Sequence, residues 1–213
     1  MSPHQILSSA PVVPVISIER LVDAIPLARA LVAGGLPVLE VTLRTPVALA
    51  AIAAIAQDVP EAIVGAGTVL TPADLDRVAA AGARFAISPG ATPTLYAAAR
   101  SIQLPWIPAI ATASELMQGL EQGHECFKFF PAESSGGVAA LKSFAGPFAA
   151  ARFCPTGGID AAKAPQYFAL PNVLTVGGSW MLPPMAIRGS DWGEITRLAQ
   201  ACVALRNAGR SPA

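Results

Sequence analysis

The chain has 213 residues, of which 53% are hydrophobic and 13% charged, and its formal net charge is zero. This balance of charges argues against a nucleic-acid-binding surface, a polybasic membrane-binding patch and an acidic tail. The length and the high apolar fraction are sufficient for one large core. We find no linker or low-complexity stretch, so we expect residues 1–213 to form a single domain, with residues 1–10 as a short N-terminal cap.

The cysteine and histidine content predicts neither disulfides nor a metal site. Cys126, Cys154 and Cys202 are odd in number and widely spaced, which is typical of reduced thiols. The chain has only two histidines. Its first residues lack a signal-peptide pattern, and no apolar run reaches the roughly 18 residues of a membrane span. We therefore expect a cytoplasmic protein that contacts no membrane.

Short runs rich in β-branched and aromatic residues recur along the chain, and each is followed by a segment with helical periodicity. Eight such runs are predicted as strands: Val12–Ile18, Val38–Thr42, Ile63–Thr68, Phe85–Ser88, Trp106–Ile110, Cys126–Phe129, Arg152–Thr156 and Val173–Gly178. Strand–helix units repeated eight times predict an α/β fold in which a parallel sheet closes into a (β/α)8 TIM barrel. A doubly wound open sheet is the alternative, although such sheets usually have about six strands.

Hydroxyl residues mark the predicted starts of four helices. A threonine precedes a proline at Thr45, Thr71 and Thr92, which is a typical N-cap followed by the first helical position. Thr112 and Glu115 form the spacing of a capping box. These signals predict helices that begin immediately after residues 45, 71, 92 and 112.

In a barrel of this class chemistry gathers at the carboxyl ends of the strands. In the stretch VLEVTLRT, Glu40, Thr42 and Arg44 alternate with apolar residues and therefore share one side of the strand. The other side must pack on helices, so we expect the polar set to face the interior and its mouth. Glu40 and Arg44 lie roughly 13 Å apart along an extended strand. They can serve different parts of a ligand, or Glu40 can be a buried carboxylate paired with an arginine of a neighbouring strand.

One of only three lysines lies in the apolar stretch CFKFFP. Lys128 shares a side with Cys126 and Phe130, opposite Phe127 and Phe129, and should point into the barrel. Burial disfavours the ammonium form and lowers the pKa of a lysine, and a neutral amine condenses with carbonyl carbon to give a Schiff base. The alternative is a structural lysine that forms a fixed ion pair with Glu40.

Glycines mark three further strand ends. Gly65 and Gly67 precede Thr68, a small hydroxyl that could bond a carboxylate. The stretches CPTGGID and VGGSW follow the seventh and eighth strands, where barrels often bind phosphate through loop N–H groups. The pattern therefore predicts a ligand that carries a phosphate.

Six stretches together resemble the 2-keto-3-deoxy-6-phosphogluconate (KDPG) aldolases of the Entner–Doudoroff pathway: VLEVTLRT, VGAGTVL, ISPG, FKFFPAE, RFCPTGGI and GGSW. The likeness runs from about Val12 to Pro183, in order and at family spacing. It implies a homotrimer of (β/α)8 barrels that uses a Schiff-base lysine and no metal or cofactor. It also implies activity on 4-hydroxy-2-oxoglutarate.

The resemblance implies a role for each matching position. Lys128 would form the imine with the C2 ketone, and Glu40 would be the general acid and base. The pyruvate carboxylate would be held by Arg44 and Thr68. The remaining positions are the walls of the pyruvyl pocket, Pro89, Phe130 and Thr156, and the phosphate site, Gly157, Gly158, Gly178 and Ser179.

The chain departs from the family pattern after the fifth strand. It reads PAIAT where the resemblance leads us to expect PGIST, so that Ala109 and Ala111 replace a glycine and a serine. This change could alter the range of aldehydes accepted. Three other functions remain open: a related pyruvate aldolase whose main substrate is unphosphorylated or a C4 epimer, a phosphate-binding barrel isomerase or synthase, and a sugar-phosphate-binding barrel without catalysis.

Overall fold

The structure is a computed structural model that describes residues 1–209, with side chains through Arg206, and residues 210–213 of the expected domain lie outside it. The described residues contain nine strands: β1 Val12–Ile16, β2 Val38–Thr42, β3 Ile63–Gly67, β4 Ala86–Ile87, β5 Trp106–Ile107, β6 Ala109–Ile110, β7 Cys126–Phe129, β8 Arg152–Pro155 and β9 Val176–Gly178. They contain ten α-helices: α1 Pro3–Ser8, α2 Ala24–Ala33, α3 Ala48–Asp58, α4 Pro72–Ala80, α5 Pro93–Ser101, α6 Ala113–Glu121, α7 Gly137–Ala145, α8 Ala164–Phe168, α9 Pro184–Arg188 and α10 Trp192–Gly209. Two short 3-10 helices cover Leu21–Asp23 and Glu133–Ser135.

The strands form two parallel sheets. Six strands pair in the order β5-β4-β3-β2-β1-β9, and three pair in the order β6-β7-β8. An isolated bridge between Thr156, just after β8, and Gly177 of β9 links the two sheets, and a second bridge joins Phe153 of β8 to Val173. The α/β fold and the parallel sheet are confirmed, and the sheet curls into a half-barrel.

The predicted barrel is confirmed only in part, because the ladders of the described residues do not form one continuous ring. The predicted strand Trp106–Ile110 is interrupted at Pro108, which has no N–H to donate. Its first half, β5, pairs with β4 and its second half, β6, pairs with β7. The strand predicted at Val173–Gly178 begins only at Val176, so β8 and β9 share isolated bridges rather than a ladder.

Three of the four predicted helix caps are confirmed, each accepting a hydrogen bond from the backbone N–H three residues later: Thr71, Thr92 and Thr112. The prediction at Thr45 is wrong, because α3 begins at Ala48 without a side-chain cap. The hydroxyl of Thr45 instead donates to the carbonyl oxygen of Ile18 at 2.6 Å. A tertiary hydrogen bond to the loop after β1 therefore replaces the local cap.

Two clusters of buried apolar side chains lie on opposite faces of the strands. The larger one packs the outer faces of the strands against the helices and includes Phe127 and Phe129. The smaller one, the inner core, includes Cys126 and Cys154 from the inward faces of β7 and β8. Helix α1 contributes Ile6 and Leu7 to this inner core, and both side chains are fully buried. Within the described residues no helix combines the length and apolar character needed to cross a membrane.

We expect Leu7→Ala to lower the free energy of unfolding by about 2–5 kcal/mol, because it leaves a cavity in the inner core. Leu70→Ala is a matched control, since Leu70 is 56% exposed. It should change stability by no more than about 0.5 kcal/mol. Urea unfolding of both variants measures the difference, and equal effects would show that α1 does not support the inner core.

Candidate active site

The ammonium of Lys128 on β7 and the carboxylate of Glu40 on β2 form an ion pair inside the sheet. The distance from Nζ to Oε1 is 2.8 Å, although the two residues are 88 positions apart in the chain. Only 5% of Lys128 and 1% of Glu40 is exposed. The predicted inward direction of both side chains is therefore confirmed. Glu40 is paired with a lysine, rather than with an arginine of a neighbouring strand.

The position of the carboxylate depends on the absence of a side chain at Gly67. A Cβ added there would lie 2.3 Å from Oε1 of Glu40, which is far too close for a real contact. Gly65 similarly makes room for the ring of Phe85. Both glycines make room for side chains, and one of these side chains belongs to the candidate site.

The ion pair leaves one buried oxygen unsatisfied. Oε2 of Glu40 has no hydrogen-bond partner among the described residues. An unpartnered buried acceptor costs free energy, and such atoms occur at catalytic sites. On the other side of the pair, Nζ of Lys128 lies 5.4 Å from the centre of the Phe130 ring, within the range of a cation–π contact. The site therefore combines a shielded amine with a carboxylate that retains a free oxygen.

Thr68 follows β3 with a φ of 60°, one of two positive φ values at residues other than glycine in the described part of the chain. A β-branched residue rarely adopts this region, and strain of this kind costs roughly 1–3 kcal/mol and is frequent at functional sites. Thr68 is half-buried. This strain was not predicted, because the pattern gave Thr68 only as a hydroxyl after a glycine-containing strand.

The other predicted residues also follow the carboxyl ends of their strands. Arg44 lies in the turn after β2 and is exposed, while Pro89 after β4 is half-buried. Thr156 is buried after β8, and a Cβ at Gly177 would lie 2.2 Å from its hydroxyl oxygen. The ends of neighbouring parallel strands lie at the same edge of a sheet, which brings these residues to the edge that holds Lys128 and Glu40.

The glycines of the predicted phosphate site differ in accessibility. Gly157 and Gly158 have φ values of 108° and 77°, a left-handed backbone that favours glycine. Ser179 is exposed, whereas Gly178 is buried and a Cβ there would lie 2.0 Å from the ring of Trp180. The structure therefore assigns Gly178 a packing contact and leaves the loop glycines and Ser179 accessible.

A cavity of about 630 Å³ opens at the ends of β1, β2 and β9. Its lining includes Arg44 and Ser179 but neither Lys128 nor Glu40, so the ion pair lies outside its walls. Thr42, two residues after Glu40 on β2, lines the cavity and donates to the carbonyl oxygen of Ile16 at 2.9 Å. The cavity therefore begins two residues along β2 from Glu40.

Four charged residues of this cavity were missed from the sequence: Glu19, Arg20, Asp23 and Arg188. The guanidinium of Arg20 donates two hydrogen bonds to the carboxylate of Asp23, at 2.8 and 2.7 Å. Arg20 could have been found from the sequence, because it lies in the loop after β1 and every strand end of a barrel is a candidate position for a functional residue. Arg188 lies at the end of α9 and carries no such signal.

The thiol of Cys154 lies beside the ion pair and is fully buried. Burial raises the pKa of Cys154 to about 12, while the charge of Lys128 acts in the opposite direction. Burial likewise raises the pKa of Cys126 to about 11. Thiolate is the reactive form, so burial disfavours reaction at both thiols. Within residues 1–209 no group of three or more His, Cys, Asp or Glu residues is placed to hold a metal ion.

The profile of the family described as KDPG and KHG aldolase matches residues 4–198. The chain belongs to the KDPG and KHG aldolase family. The KHG/KDPG aldolase of Escherichia coli K12 is 56% identical over 202 residues, which cover 95% of each chain.

Two solved aldolase structures are also similar. The KDPG aldolase of Legionella pneumophila, with pyruvate captured as a covalent carbinolamine, has a TM-score of 0.93 at 50% identity, covering 95% of this chain and 98% of that one. The KDPG aldolase of Zymomonas mobilis ZM4 with 3-phosphoglycerate has a TM-score of 0.91 at 48% identity, covering 97% of both.

The two departures from the aldolase family pattern lie beside the ion pair and at a helix start. Ala109 is buried and pairs in register with Lys128 across β6 and β7. The backbone N–H of Ala111 donates to the carboxylate of Glu115 at 2.8 Å, which extends the cap of α6. Ala109 therefore places a methyl group next to the strand position of the lysine, where the resemblance led us to expect glycine.

We expect Lys128→Met to lower the free energy of unfolding by about 3–5 kcal/mol, because Glu40 is then left charged and buried without a partner. The double variant Lys128→Met/Glu40→Leu should regain most of that loss. Urea unfolding of the four proteins gives the coupling energy. Arg197→Met breaks an ion pair between two surface side chains and should change the midpoint little. Additive losses in the double variant would contradict the pairing.

Proposed function

We propose that this chain is a class I aldolase that cleaves KDPG into pyruvate and D-glyceraldehyde 3-phosphate through a Schiff base on Lys128. One observation carries the proposal: a buried lysine and glutamate in direct contact, in a chain of the KDPG and KHG aldolase family. The enzyme is a carbon–carbon lyase, and an amine performs the activation for which other aldolases use a metal.

The ion pair supplies the first proton transfer. The ammonium of Lys128 must lose a proton before its nitrogen can attack the C2 carbonyl, and Oε1 of Glu40 is the acceptor at 2.8 Å. Attack gives a carbinolamine, the species captured with pyruvate in the Legionella aldolase. Glu40 then returns that proton to the carbinolamine hydroxyl, which leaves as water. The product is a protonated imine, which withdraws electrons from the C3–C4 bond, and Glu40 is again ionised.

The carboxylate then serves the cleavage step. As the C3–C4 bond breaks, its electron pair forms an enamine and the C4 hydroxyl loses a proton, which Glu40 accepts. The same group returns a proton to C3, and hydrolysis of the imine releases pyruvate. One carboxylate can perform both transfers because it accepts a proton during cleavage and gives a proton back afterwards. Its unpartnered Oε2 provides the position at which a substrate hydroxyl or a water can bond.

The substrate is held at both ends. The guanidinium of Arg44 and the hydroxyl of Thr68 bind the pyruvate carboxylate, and Pro89, Phe130 and Thr156 form the walls around the reacting carbons. Gly157, Gly158 and Ser179 bind the phosphate, with Gly178 packed behind them. Two fixed ends orient the bond that breaks and lower the entropic part of the barrier. The Zymomonas aldolase structure with 3-phosphoglycerate supports a phosphorylated acid as the ligand class.

A second substrate is 4-hydroxy-2-oxoglutarate, which has the same 2-keto-4-hydroxy acid core with a carboxylate in place of the phosphorylated tail. The name of the Escherichia coli relative, a KHG/KDPG aldolase, favours this dual activity. Arginines line the cavity beside Ser179, and they can attract either anion.

The architecture that we propose for the enzyme is a closed (β/α)8 barrel. Two features support it: the halves of the segment from Trp106 to Ile110 pair with β4 and with β7, and isolated bridges join the chain around β8 to the chain around β9. Residues 1–213 form one domain, in which α1 is the N-terminal cap of the barrel.

We propose a homotrimer located in the cytoplasm, with no nucleic-acid or membrane partner. Large exposed apolar side chains support subunit contacts, among them Val22 at 72% and Met117 at 53% exposure. Three buried free cysteines suit a reducing compartment. Light scattering after size exclusion measures the subunit number, and a monomer would contradict the trimer.

We expect Lys128→Ala to lower kcat by several orders of magnitude and to abolish covalent capture of pyruvate by borohydride. Only the amine at position 128 can form the imine, so mass mapping of the wild type should place the adduct on this residue. Lys142→Ala is the matched control, because Lys142 is exposed on α7, and it should be captured like the wild type. Cleavage retained without Lys128 would remove the mechanism.

We expect Glu40→Gln still to be captured by borohydride with pyruvate, because water can slowly take the proton of Lys128. Turnover should be about 10²–10⁴-fold slower, because glutamine cannot carry a proton. Single-turnover kinetics on KDPG separates imine formation from cleavage. Unchanged turnover would show that another group carries the proton.

A further inference from the structure

A lysine, a glutamate and a tyrosine form a cluster behind the loop of Gly157 and Gly158. Nζ of Lys163 lies 2.9 Å from Oε2 of Glu133, and the hydroxyl of Tyr167 donates to Oε1 of the same carboxylate. Nζ of Lys163 also donates to the carbonyl oxygen of Gly158 at 2.8 Å. The ammonium therefore joins the glycine loop to the segment that follows β7.

The backbone of the same segment holds the rest of the loop. The N–H of Ala132 donates to the carbonyl of Thr156 at 2.8 Å, and the N–H of Glu133 donates to the carbonyl of Gly157 at 3.1 Å. Together with the bond from Lys163 to Gly158, these bonds occupy the carbonyl oxygens of three successive residues, 156 to 158. Gly157 and Gly158 have a left-handed backbone, and neither is buried. The N–H groups of such a glycine backbone can bind an anion.

The charge of Glu133 makes the lysine necessary. The side chain of Glu133 lies against the loop, since a Cβ at Gly158 would lie 2.8 Å from its Cγ. The hydrogen bond from Tyr167 and the contact with Lys163 hold the pKa of Glu133 below its usual value, so the carboxylate is ionised at neutral pH. An unpaired carboxylate at this distance would repel a phosphate dianion, and the ammonium of Lys163 neutralises it.

The start of the lysine side chain is also fixed. One carboxylate oxygen of Asp160 accepts the backbone N–H groups of Ala162 and Lys163, both at 3.0 Å. This turn sets the direction from which Lys163 reaches back over five residues to Gly158. The ammonium of Lys163 is therefore positioned by the Asp160 turn after the loop and by Glu133 of the segment after β7.

We propose that Lys163 is a positioning residue for the phosphate end of the substrate, acting through the carbonyl of Gly158 and the carboxylate of Glu133. The inference rests on the proposed aldolase function, in which this loop binds the phosphate. Glu133 lies five residues after Lys128 in the chain, so the cluster also fixes the distance between the imine and the phosphate. The substrate class that it selects is the phosphorylated 2-keto acid.

The test compares Lys163→Ala with the control Lys142→Ala on KDPG and on unphosphorylated 2-keto-3-deoxygluconate. We expect Lys163→Ala to raise KM for KDPG about tenfold with kcat within about twofold, the effect of losing a charged hydrogen bond at the binding step. The inhibition constant of inorganic phosphate should rise by a similar factor. The kcat/KM for the unphosphorylated acid should stay within about twofold of that of the control, since no phosphate is bound.

Lys163→Arg keeps both the charge and the donor and should recover KM to within about threefold of the wild type. Equal losses on both substrates, or a Lys163→Ala protein that behaves like Lys142→Ala, would overturn the proposal. Failure of the proposed function is seen separately, because wild-type protein would then neither cleave KDPG nor capture pyruvate with borohydride.

Discussion

The contact between Lys128 and Glu40 is the constraint to which the surrounding residues are fitted. Two charges taken out of water carry a desolvation penalty of several kcal/mol per ion, and only a close, well-directed contact offsets it. β7 and β2 are distant in sequence and lie in different sheets, so the curvature of the sheet must bring them together. Gly67 provides the space for this contact, and the Phe130 ring lies beside the ammonium. The geometry of the site therefore depends directly on the curvature of the sheet.

The segment that begins with β7 connects the two ends of the proposed substrate site. Lys128 lies within the strand, and Ala132 and Glu133 follow it and hold the loop after β8 through backbone and side-chain contacts. Because one short piece of chain carries both functions, a shift of this strand would move the amine and the phosphate loop together. The separation between the two is then set by local geometry rather than by the packing of distant helices.

Alternation and local capping explain what the sequence could predict. The inward direction of Lys128 and Glu40 follows from the apolar residues between which they lie, and caps such as Thr71 need only their own helix. The failure at Thr45 has the opposite cause, because its hydroxyl finds a partner 27 residues earlier in the chain. Pro108 was visible in the sequence, yet the apolar run around it suggested an unbroken strand.

The cluster around Lys163 could not be predicted from pattern. Tyr167 and Glu133 are 34 residues apart and lie outside the strands, so no periodicity relates them. Their contact depends on the positions of α8 and of the 3-10 helix after β7, which are fixed only once neighbouring strands are in place. The role of Gly67 was similarly hidden, because a glycine in a strand does not show which atom occupies the space beside it. Side-chain contacts between elements that are distant in the sequence are therefore the hardest to predict from a single sequence.

The backbone at Thr68 has a consequence for engineering. Its left-handed conformation is strained for a β-branched residue, and the surrounding sheet must supply the energy that maintains it. Thermostability programmes that replace such residues with glycine would select this position early, and would remove with it a hydroxyl proposed to grip the ketoacid. A search for heat-resistant forms of this enzyme should therefore keep threonine here and seek its gains on the outer helices instead.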